Sequence, residues 1–533
     1  YSIELARRGY VVLALDLHSH GDSESLSIAE LYDGAVGVDG AVQLIASLPY
    51  VDTARIGVTG HSSGGTAANM AVEIDNSRET PLIAAVLQQA GDWQDDTGGD
   101  HSGDYGSRSV GIIASTHDDF YFGTYDDAGN MLTNPAAFME TDGAKKFLNF
   151  NEDGFAGIAE GGKYYTRDFD GKTAYRVIYR PNMIHPLVAF STTCVGYAVD
   201  FFDTTLGTPK PLPASDQIWP IKAVFNSLGV IGLLIFMVSF TLVLLDTPVF
   251  SALRSGEIVQ PAPVQDSGAK AWYWVLLIIG AVFSGSSFLF CMNTVYSKTT
   301  NFFVQTGPLT IGTWAALCGV FAIFCSAVFY GAYGKKHGWS ARRAGLYLNL
   351  EQLWKTIALA VIVIVVSIGL VFAAPYFFQV DYRMYVVAFK TFGADKVLIA
   401  LRYLPFFLLF YVMNSISANC FNYNTIGGKN GNILIFAFFN ALGAILVVAS
   451  QYIYFYATGY QLYGLTEGQR IGPIWLFPCM VLLFVTPIMS RIIYKRTRNP
   501  YIAGLINAMF IVMISCSNTT TILGGGELIA TTF

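Results

Sequence analysis

Hydrophobic residues follow two different patterns along this 533-residue chain. Up to about residue 205, short β-rich runs alternate with stretches of helical character. Beyond residue 220, apolar runs of roughly 20 residues recur, each long enough to cross a bilayer as a helix. The pattern therefore predicts an α/β domain followed by an all-α polytopic membrane domain.

In the first part, strands are predicted where continuous apolar runs are bounded by turn residues. The predicted strands are 11–15, 55–59, 81–89, 109–116 and 174–179, and the predicted helices are 1–8, 29–47, 135–150 and 187–202. Strands that alternate with helices predict a doubly wound, mostly parallel sheet. The helical piece 135–150 and a hairpin-like piece at 163–171 form an insertion that could act as a lid.

Eight membrane spans are predicted after a proline-rich linker. They lie near 221–245, 271–292, 309–333, 356–378, 397–418, 432–456, 473–494 and 501–519. The predicted organisation is an α/β domain over 1–205, a linker over 206–220, a membrane domain over 221–519 and a tail over 520–533. Arg402 is the one clear charged residue within a span, and it is close enough to the helix start to reach the interface.

Loop charge predicts the orientation of the spans. Loops that follow odd-numbered spans carry twelve basic residues: Arg254, Lys270, Lys335, Lys336, Arg342, Arg343, Lys355, Lys429, Arg491, Lys495, Arg496 and Arg498. Loops that follow even-numbered spans carry five: Lys298, Arg383, Lys390, Lys396 and Arg470. The positive-inside rule makes the first group cytoplasmic, so the α/β domain is expected outside the cytoplasm in a multi-pass cell-membrane protein.

Net charge separates the two parts as well. Residues 1–205 hold 12 Lys/Arg and 29 Asp/Glu, whereas residues 206–533 hold 20 and 9, which together give the net charge of −6. An acidic α/β domain would not neutralise phosphates, which argues against a nucleic-acid partner. The chain opens at Tyr1 inside a predicted helix, so we expect a fragment whose first strands and membrane anchor or signal lie upstream.

The sequence Gly60-His61-Ser62-Ser63-Gly64 stands between a predicted strand and a predicted helix. It fits the Gly-x-Ser-x-Gly elbow, in which a sharp strained turn exposes the serine hydroxyl and requires residues without bulk on either side. Ser62 is therefore the predicted nucleophile. The backbone N–H of Ser63, at the start of a helix, is the predicted donor to an oxyanion.

The first part resembles the α/β-hydrolase superfamily, of the serine esterase, lipase or dienelactone-hydrolase kind. The resemblance lies in the elbow and in the turn Asp16-Leu17-His18-Ser19-His20-Gly21-Asp22-Ser23, where His20 would have a structural role. In this family the triad follows in the order Ser, acid, His. The resemblance implies Asp118 as the acid, with Asp119 as the alternative, and His185, after the last strand, as the general base.

These residues predict a membrane-anchored serine hydrolase that cleaves a carboxylic, possibly lipid-like, ester; peptidase activity is less favoured. Two alternatives stay open. One is a transporter or signalling protein that uses the α/β domain as a binding module, and the other is an acyltransferase that uses the same triad. We expect neither a cofactor nor a metal, because the acidic loop with Asp92, Asp95, Asp96, Asp100 and Asp104 lacks EF-hand spacing.

Overall fold

A five-stranded sheet organises the first part of the chain. The computed structural model describes residues 1–94, 99–126, 131–264, 266–391 and 393–527. The strands are β1 (Ile56–His61), β2 (Ile83–Gln89), β3 (Ser109–Ile113), β4 (Tyr165–Phe169) and β5 (Lys172–Tyr179), in the order β1-β2-β3-β5-β4. Only β4, at one edge, runs antiparallel to its neighbour. The prediction of a mostly parallel sheet is confirmed.

Helices pack on both faces of this sheet. They are α1 (Ser2–Arg7), α2 (Val38–Ala46), α3 (Ser63–Asn76), α4 (Asp142–Leu148) and α5 (Thr192–Leu206), with 3₁₀ helices at Pro135–Glu140 and His185–Phe190. Adjacent residues of β2 point to opposite faces: Val86 joins the core formed with α3 and α4, and Leu87 joins the core formed with α5. The two cores account for the continuous apolar strands.

Two predicted elements of the first part differ in the structure. Residues 11–15 form no strand, and Val11, Leu13 and Leu15 are each about two-fifths exposed. A strand exists through its ladder of hydrogen bonds, and within the described residues no strand pairs with this run. The predicted helix 29–47 is divided into Ile28–Leu31, Asp33–Val36 and α2, because Gly34 and Gly37 adopt positive φ angles of 56° and 92°.

The predicted insertion contributes to the core of the sheet. In α4, Phe147 and Leu148 are almost fully buried. The ring of Phe147 stacks on Trp93 at 5.6 Å, and Arg176 of β5 lies over it at 5.7 Å. These contacts make α4 an integral part of one face of the sheet. The hairpin-like piece forms β4, which pairs with β5.

The chain divides into two compact units. The first, here called the α/β unit, contains Tyr1–Lys222 together with Gln451–Ile471 and Thr520–Phe533. The second, the membrane unit, contains Ala223–Ser450 and Gly472–Thr519. Within the α/β unit, the short strand Leu26–Ser27 pairs in parallel with Ile522–Leu523, which places the described part of the predicted tail in this unit.

Eight helices in the described part of the chain are long and apolar enough to cross a membrane, so this prediction is confirmed. They are Trp219–Leu245, Ser267–Thr294, Thr306–Gly334, Leu350–Phe378, Ala394–Phe421, Gly428–Thr458, Glu467–Thr497 and Pro500–Ser517. The third and fifth end in π-helical turns, at Tyr330–Gly334 and Ser417–Phe421. Arg402 donates to the carbonyl oxygen of Phe302 at 2.9 Å.

The remaining elements are short. They are a 3₁₀ helix at Ser251–Leu253 and strands at Thr124–Tyr125, Met131–Thr133, Lys298–Thr299, Tyr382–Met384, Val387–Phe389 and Gly526–Glu527. Tyr382–Met384 and Val387–Phe389 form an antiparallel hairpin between the fourth and fifth spans. Leu253, Val387 and Phe389 of these pieces are buried in the core of the membrane unit.

Candidate active site

Ser62 occupies the strained turn that the elbow sequence predicts. It stands between β1 and α3 with φ 57° and ψ −123°, a conformation that residues with a side chain rarely adopt. The Ser62 N–H donates to the Gln89 carbonyl at 2.9 Å, and the Gly65 N–H donates to the Ser62 carbonyl at 2.7 Å. Backbone hydrogen bonds on both sides therefore hold the turn in place.

The two glycines of the elbow have different roles. A Cβ atom on Gly60 would lie 2.1 Å from the carbonyl carbon of Gly64, far inside van der Waals contact. A Cβ atom on Gly64 would meet no atom within 4 Å. The expectation that both positions must lack bulk therefore applies to Gly60 and not to Gly64.

Asp118 and His185 are brought together by an extension of the β3–β5 ladder. Beyond the strands, the N–H of Ala114 donates to Tyr179 at 2.9 Å, and His117 bridges to Ile184 in parallel. The next residue on each side is then Asp118 and His185, at the carboxyl edge of the sheet. His185 Nδ1 lies 2.9 Å and 3.0 Å from the two carboxylate oxygens of Asp118.

The Asp118 carboxylate is fixed by its own loop. It is fully buried, and its Oδ1 accepts the backbone N–H groups of Phe120 at 3.0 Å and Tyr121 at 2.9 Å. A carboxylate held in this way directs the Nδ1 proton of His185 and leaves Nε2 as the basic nitrogen. The pair has the geometry of a general base with its orienting acid.

Asp119, the alternative acid, faces a different group. Its Oδ2 accepts the backbone N–H of His185 at 3.3 Å, whereas the imidazole ring faces Asp118. Burial, followed by the negative charge of Asp118, raises the pKa of Asp119 well above its usual range. Asp119 therefore supports the backbone of His185, and the ring contact belongs to Asp118.

The ring of His185 is enclosed by aromatic side chains. The His61 ring lies 4.7 Å away, the Phe120 ring 5.0 Å and the Tyr121 ring 5.9 Å. His61 Nε2 donates to the His185 carbonyl at 3.1 Å, and burial lowers the pKa of His61 to about 4, with a further contribution from His185. A neutral His61 acts here as a support for His185.

The structure brings the predicted residues to one edge of the sheet without joining all of them. Ser62 is buried, and Ser63, the predicted oxyanion donor, is the first residue of α3. Among the hydrogen bonds of the described residues, none joins the Ser62 hydroxyl to the His185 ring. Catalytic contacts of this kind often tighten only when substrate binds.

The segment Gln451–Ile471, which belongs to the α/β unit, makes contacts near the candidate site that the sequence did not predict. Gln461 Nε2 donates to the carbonyl oxygen of Asp119 at 2.7 Å, and the Tyr452 hydroxyl interacts with the Asp119 carboxyl. The rings of Phe455 and Tyr456 pack on His117 at 5.4 and 4.4 Å. These residues follow Asp119 by more than 330 positions, so no local sequence signal connects them.

The other candidates have structural contacts. His20 Nδ1 donates to the His18 carbonyl at 2.8 Å, and its Nε2 lies 2.9 Å from the Thr520 hydroxyl, so His20 supports its turn. Asp95 and Asp96 of the acidic loop lie outside the described residues. Within those that are described, no group of three His, Cys, Asp or Glu side chains could hold a metal ion.

In comparisons with known proteins, the chain matches no family model, no curated protein and no solved structure.

Proposed function

We propose that this protein is a membrane-anchored serine hydrolase that cleaves a carboxylic ester. The observation that carries the proposal is the buried His185–Asp118 pair at 2.9 Å, which lies at the same carboxyl edge of the sheet as the strained Ser62 turn. A nucleophile, a base and an orienting acid are the groups that acyl transfer requires.

In the proposed reaction, the Ser62 hydroxyl attacks the ester carbonyl while His185 Nε2 takes its proton. The Ser63 N–H stabilises the negative charge on the carbonyl oxygen. His185 then gives the proton to the leaving alcohol, and an acyl-enzyme on Ser62 remains. Water, deprotonated by His185, releases the carboxylic acid and restores Ser62.

An apolar, lipid-like ester is the proposed substrate class. The rings of Phe120 and Tyr121 lie within 6 Å of the His185 ring, so a hydrocarbon group beside the base would meet apolar surface. The eight spans would keep such an enzyme at a bilayer, where these esters dissolve. Both observations favour a lipid-like ester over a water-soluble peptide.

Labelling with a fluorophosphonate probe tests the proposal. The purified full-length chain should become covalently labelled, and Ser62→Ala should abolish the label because no other side chain would carry the activated hydroxyl. Ser63→Ala is the matched control, since it removes the adjacent hydroxyl and keeps the backbone N–H; it should label normally. Persistent labelling of a folded Ser62→Ala variant would contradict the proposal.

We also propose that the α/β unit lies on the extracytoplasmic side of a cell membrane. Its three segments contain the chain before the first span, the connection between the sixth and seventh spans and the chain after the eighth, so an even number of crossings precedes each of these parts. The loops that follow odd-numbered spans carry most of the basic residues and would face the cytoplasm. A single orientation is therefore consistent with both the segments and the charges.

Cysteine accessibility tests this orientation. Ala156 and Lys336 are both exposed, the first in the α/β unit and the second after the third span. A membrane-impermeant maleimide added to intact cells should label Ala156→Cys and not Lys336→Cys, with the parent chain as the blank. The opposite pattern would reverse the proposed orientation without affecting the proposed chemistry.

A further inference from the structure

The membrane unit contains a partly open cavity of about 660 Å³. This volume falls within the range of about 300–1,000 Å³ that is usual for small-molecule sites. Its middle part is lined by apolar and aromatic side chains of the spans, namely Leu276, Leu277, Trp314, Phe407, Phe436 and Phe439. All its described lining residues belong to the membrane unit, and none of them is a residue of the candidate active site.

The cavity extends along the third span. Its wall there runs from Ile311 to Gly334, of which the α-helical part from Ile311 to Phe329 alone corresponds to about 27 Å. The shape therefore fits an extended hydrocarbon chain better than a compact solute.

One end of the cavity is polar and carries positive charge. His337 and Arg343, in the loop after the third span, are exposed at this end, and Asn419 and Tyr423 line it from the end of the fifth span. Among the lining residues that the structure describes, none is an aspartate or a glutamate. A group that enters this end would meet a guanidinium and amide side chains, with no carboxylate to repel an anion.

A buried arginine, Arg491, lies directly behind this wall, within the seventh span Glu467–Thr497 and not in the loop where the sequence pattern placed it. Arg491 is only 1% exposed, and it donates to Asn419 Oδ1 at 2.8 Å and to Asn432 Oδ1 at 3.0 Å. Its guanidinium carbon lies 3.9 Å from the centre of the Tyr423 ring. Within the described part of the chain, no carboxylate lies at ion-pair distance from Arg491. An uncompensated cation of this kind marks a functional site in membrane proteins.

The backbone around the cavity is irregular. Both π-helical turns, Tyr330–Gly334 and Ser417–Phe421, contribute lining residues at the polar end. Such turns interrupt the regular hydrogen-bond ladder and occur frequently at functional sites. Their presence on two different spans at the same end of one cavity is a second observation that points to a ligand.

We propose that this cavity binds a single-chain amphiphile with an anionic head group, of which a long-chain fatty acid is the simplest example. The hydrocarbon chain occupies the part lined by the spans, and the carboxylate lies at the end with Arg343, in the positive field of Arg491. The site is independent of the proposed hydrolase chemistry and gives the membrane unit a binding role of its own.

Photolabelling of the full-length chain in nanodiscs with a diazirine analogue of palmitate tests this site. Palmitate should compete for the label most strongly, hexadecanol less and hexadecylammonium least, because the three share one chain and differ only in head-group charge. Labelling should be unchanged in Ser62→Ala, which separates this site from the hydrolase. Equal competition by the three amphiphiles would overturn the proposal of an anion site.

Two glycines provide a test variant and a control variant for the part of the cavity that holds the hydrocarbon chain. A Cβ atom on Gly280, which lines the cavity, or on Gly232, which does not, would meet no atom within 4 Å. Gly280→Phe should fill the cavity and lower palmitate affinity about tenfold or more. Gly232→Phe should leave it unchanged. Unchanged affinity in a folded Gly280→Phe variant would place the ligand elsewhere.

Two neighbouring arginines provide a test variant and a control variant for the position of the head group. Arg343 lines the cavity, and the exposed Arg342 does not. Arg343→Gln should weaken palmitate about fivefold and leave hexadecanol unaffected, since only the carboxylate interacts with the guanidinium charge. Arg342→Gln should change neither. An equal loss for both amphiphiles in Arg343→Gln would overturn the assigned head-group position.

Discussion

Buried charges are neutralised in different ways in the two units. In the α/β unit, Asp75 accepts from Arg108 at 2.8 Å, and Asp118 faces His185 at 2.9 Å. In the membrane unit, Arg491 is surrounded by neutral oxygens and an aromatic ring within the described residues. The first arrangement satisfies a charge inside the protein, and the second leaves net charge available to a ligand.

The difference has an energetic basis. Removing an ion from water costs several kcal/mol, and a partner within hydrogen-bond distance offsets most of that cost. Neutral acceptors offset only part of it, so the protein retains a favourable site for an opposite charge nearby. The paired charges Asp75 and Asp118 therefore belong to the fixed interior of the α/β unit, and Arg491 keeps its charge beside the cavity of the membrane unit.

The largest expected effect comes from removing the charge opposite His185. Asp118→Asn should lower the ester turnover number about 10⁴-fold, because an amide favours the wrong tautomer of the imidazole. Asp119→Asn should lower it only about tenfold, since an amide oxygen still accepts the His185 N–H. Turnover of a chromogenic ester by both purified variants measures the difference. The reverse order would make Asp119 the triad acid.

A smaller effect is expected where a buried pair has only a structural role. Asp75 is fully buried, and its oxygens accept from Arg78, Arg108 and two backbone N–H groups. Asp75→Ala should destabilise the α/β unit by about 3–5 kcal/mol, because it leaves Arg108 buried without its partner. Tryptophan fluorescence during denaturant unfolding measures the loss.

The exposed pair of Asp52 and Arg55 provides the control for this measurement. Its nitrogen–oxygen distance of 2.7 Å is as short as that of the buried pair, but both side chains are more than half exposed. Asp52→Ala should give no measurable change in stability. If Asp52→Ala and Asp75→Ala were equally costly, burial would not be the property that distinguishes these pairs.

The smallest expected effect concerns Asp92, a buried carboxyl without a cation at ion-pair distance in the described residues. Burial raises its pKa to about 6, and the Gln94 N–H offsets this only in part. The pKa of Asp92 in the folded protein exceeds the ordinary value of about 3.9, so protonated Asp92 favours the folded state. Its contribution to the free energy of unfolding is fully present below about pH 4 and is lost as the pH rises through 6.

Asp92→Asn should therefore be more stable than the parent at pH 8, by up to about 3 kcal/mol, and equally stable at pH 4. Asparagine keeps the oxygen that accepts the Gln94 N–H at 2.9 Å. Thermal unfolding at the two pH values measures this difference. Equal stability at both would mean that Asp92 is accommodated as an ion, like the paired carboxylates.

The parts of the fold that follow from local pattern could be predicted. The spans follow from apolar length, and the Ser62 turn follows from five adjacent residues. The contact of Asp118 with His185 depends on two strand ends, whose order the family resemblance provided. The unpaired run 11–15 could not be predicted, because an apolar run does not show whether a neighbouring strand is present.

Contacts that join distant segments were also beyond local pattern. Tyr452 lies in an apolar run that is long enough for a span, and Gln461 lies just after it. Nothing in the neighbouring residues indicates that either would contact Asp119. The cavity also depends on distant segments, because Arg343 lies in the loop after the third span and Asn419 lies at the end of the fifth. Polar residues within spans show that a site exists, but only the packing shows which of them meet.

The hydrogen bond from Gln461 to Asp119 has a consequence for the order of synthesis. The two residues are separated by 342 positions, so a ribosome needs about 20 to 70 s to produce the second after the first. During that interval the loop that carries the acid lacks the last of its supports. The loop that carries Asp119 therefore gains this hydrogen bond only after the sixth span has been synthesised.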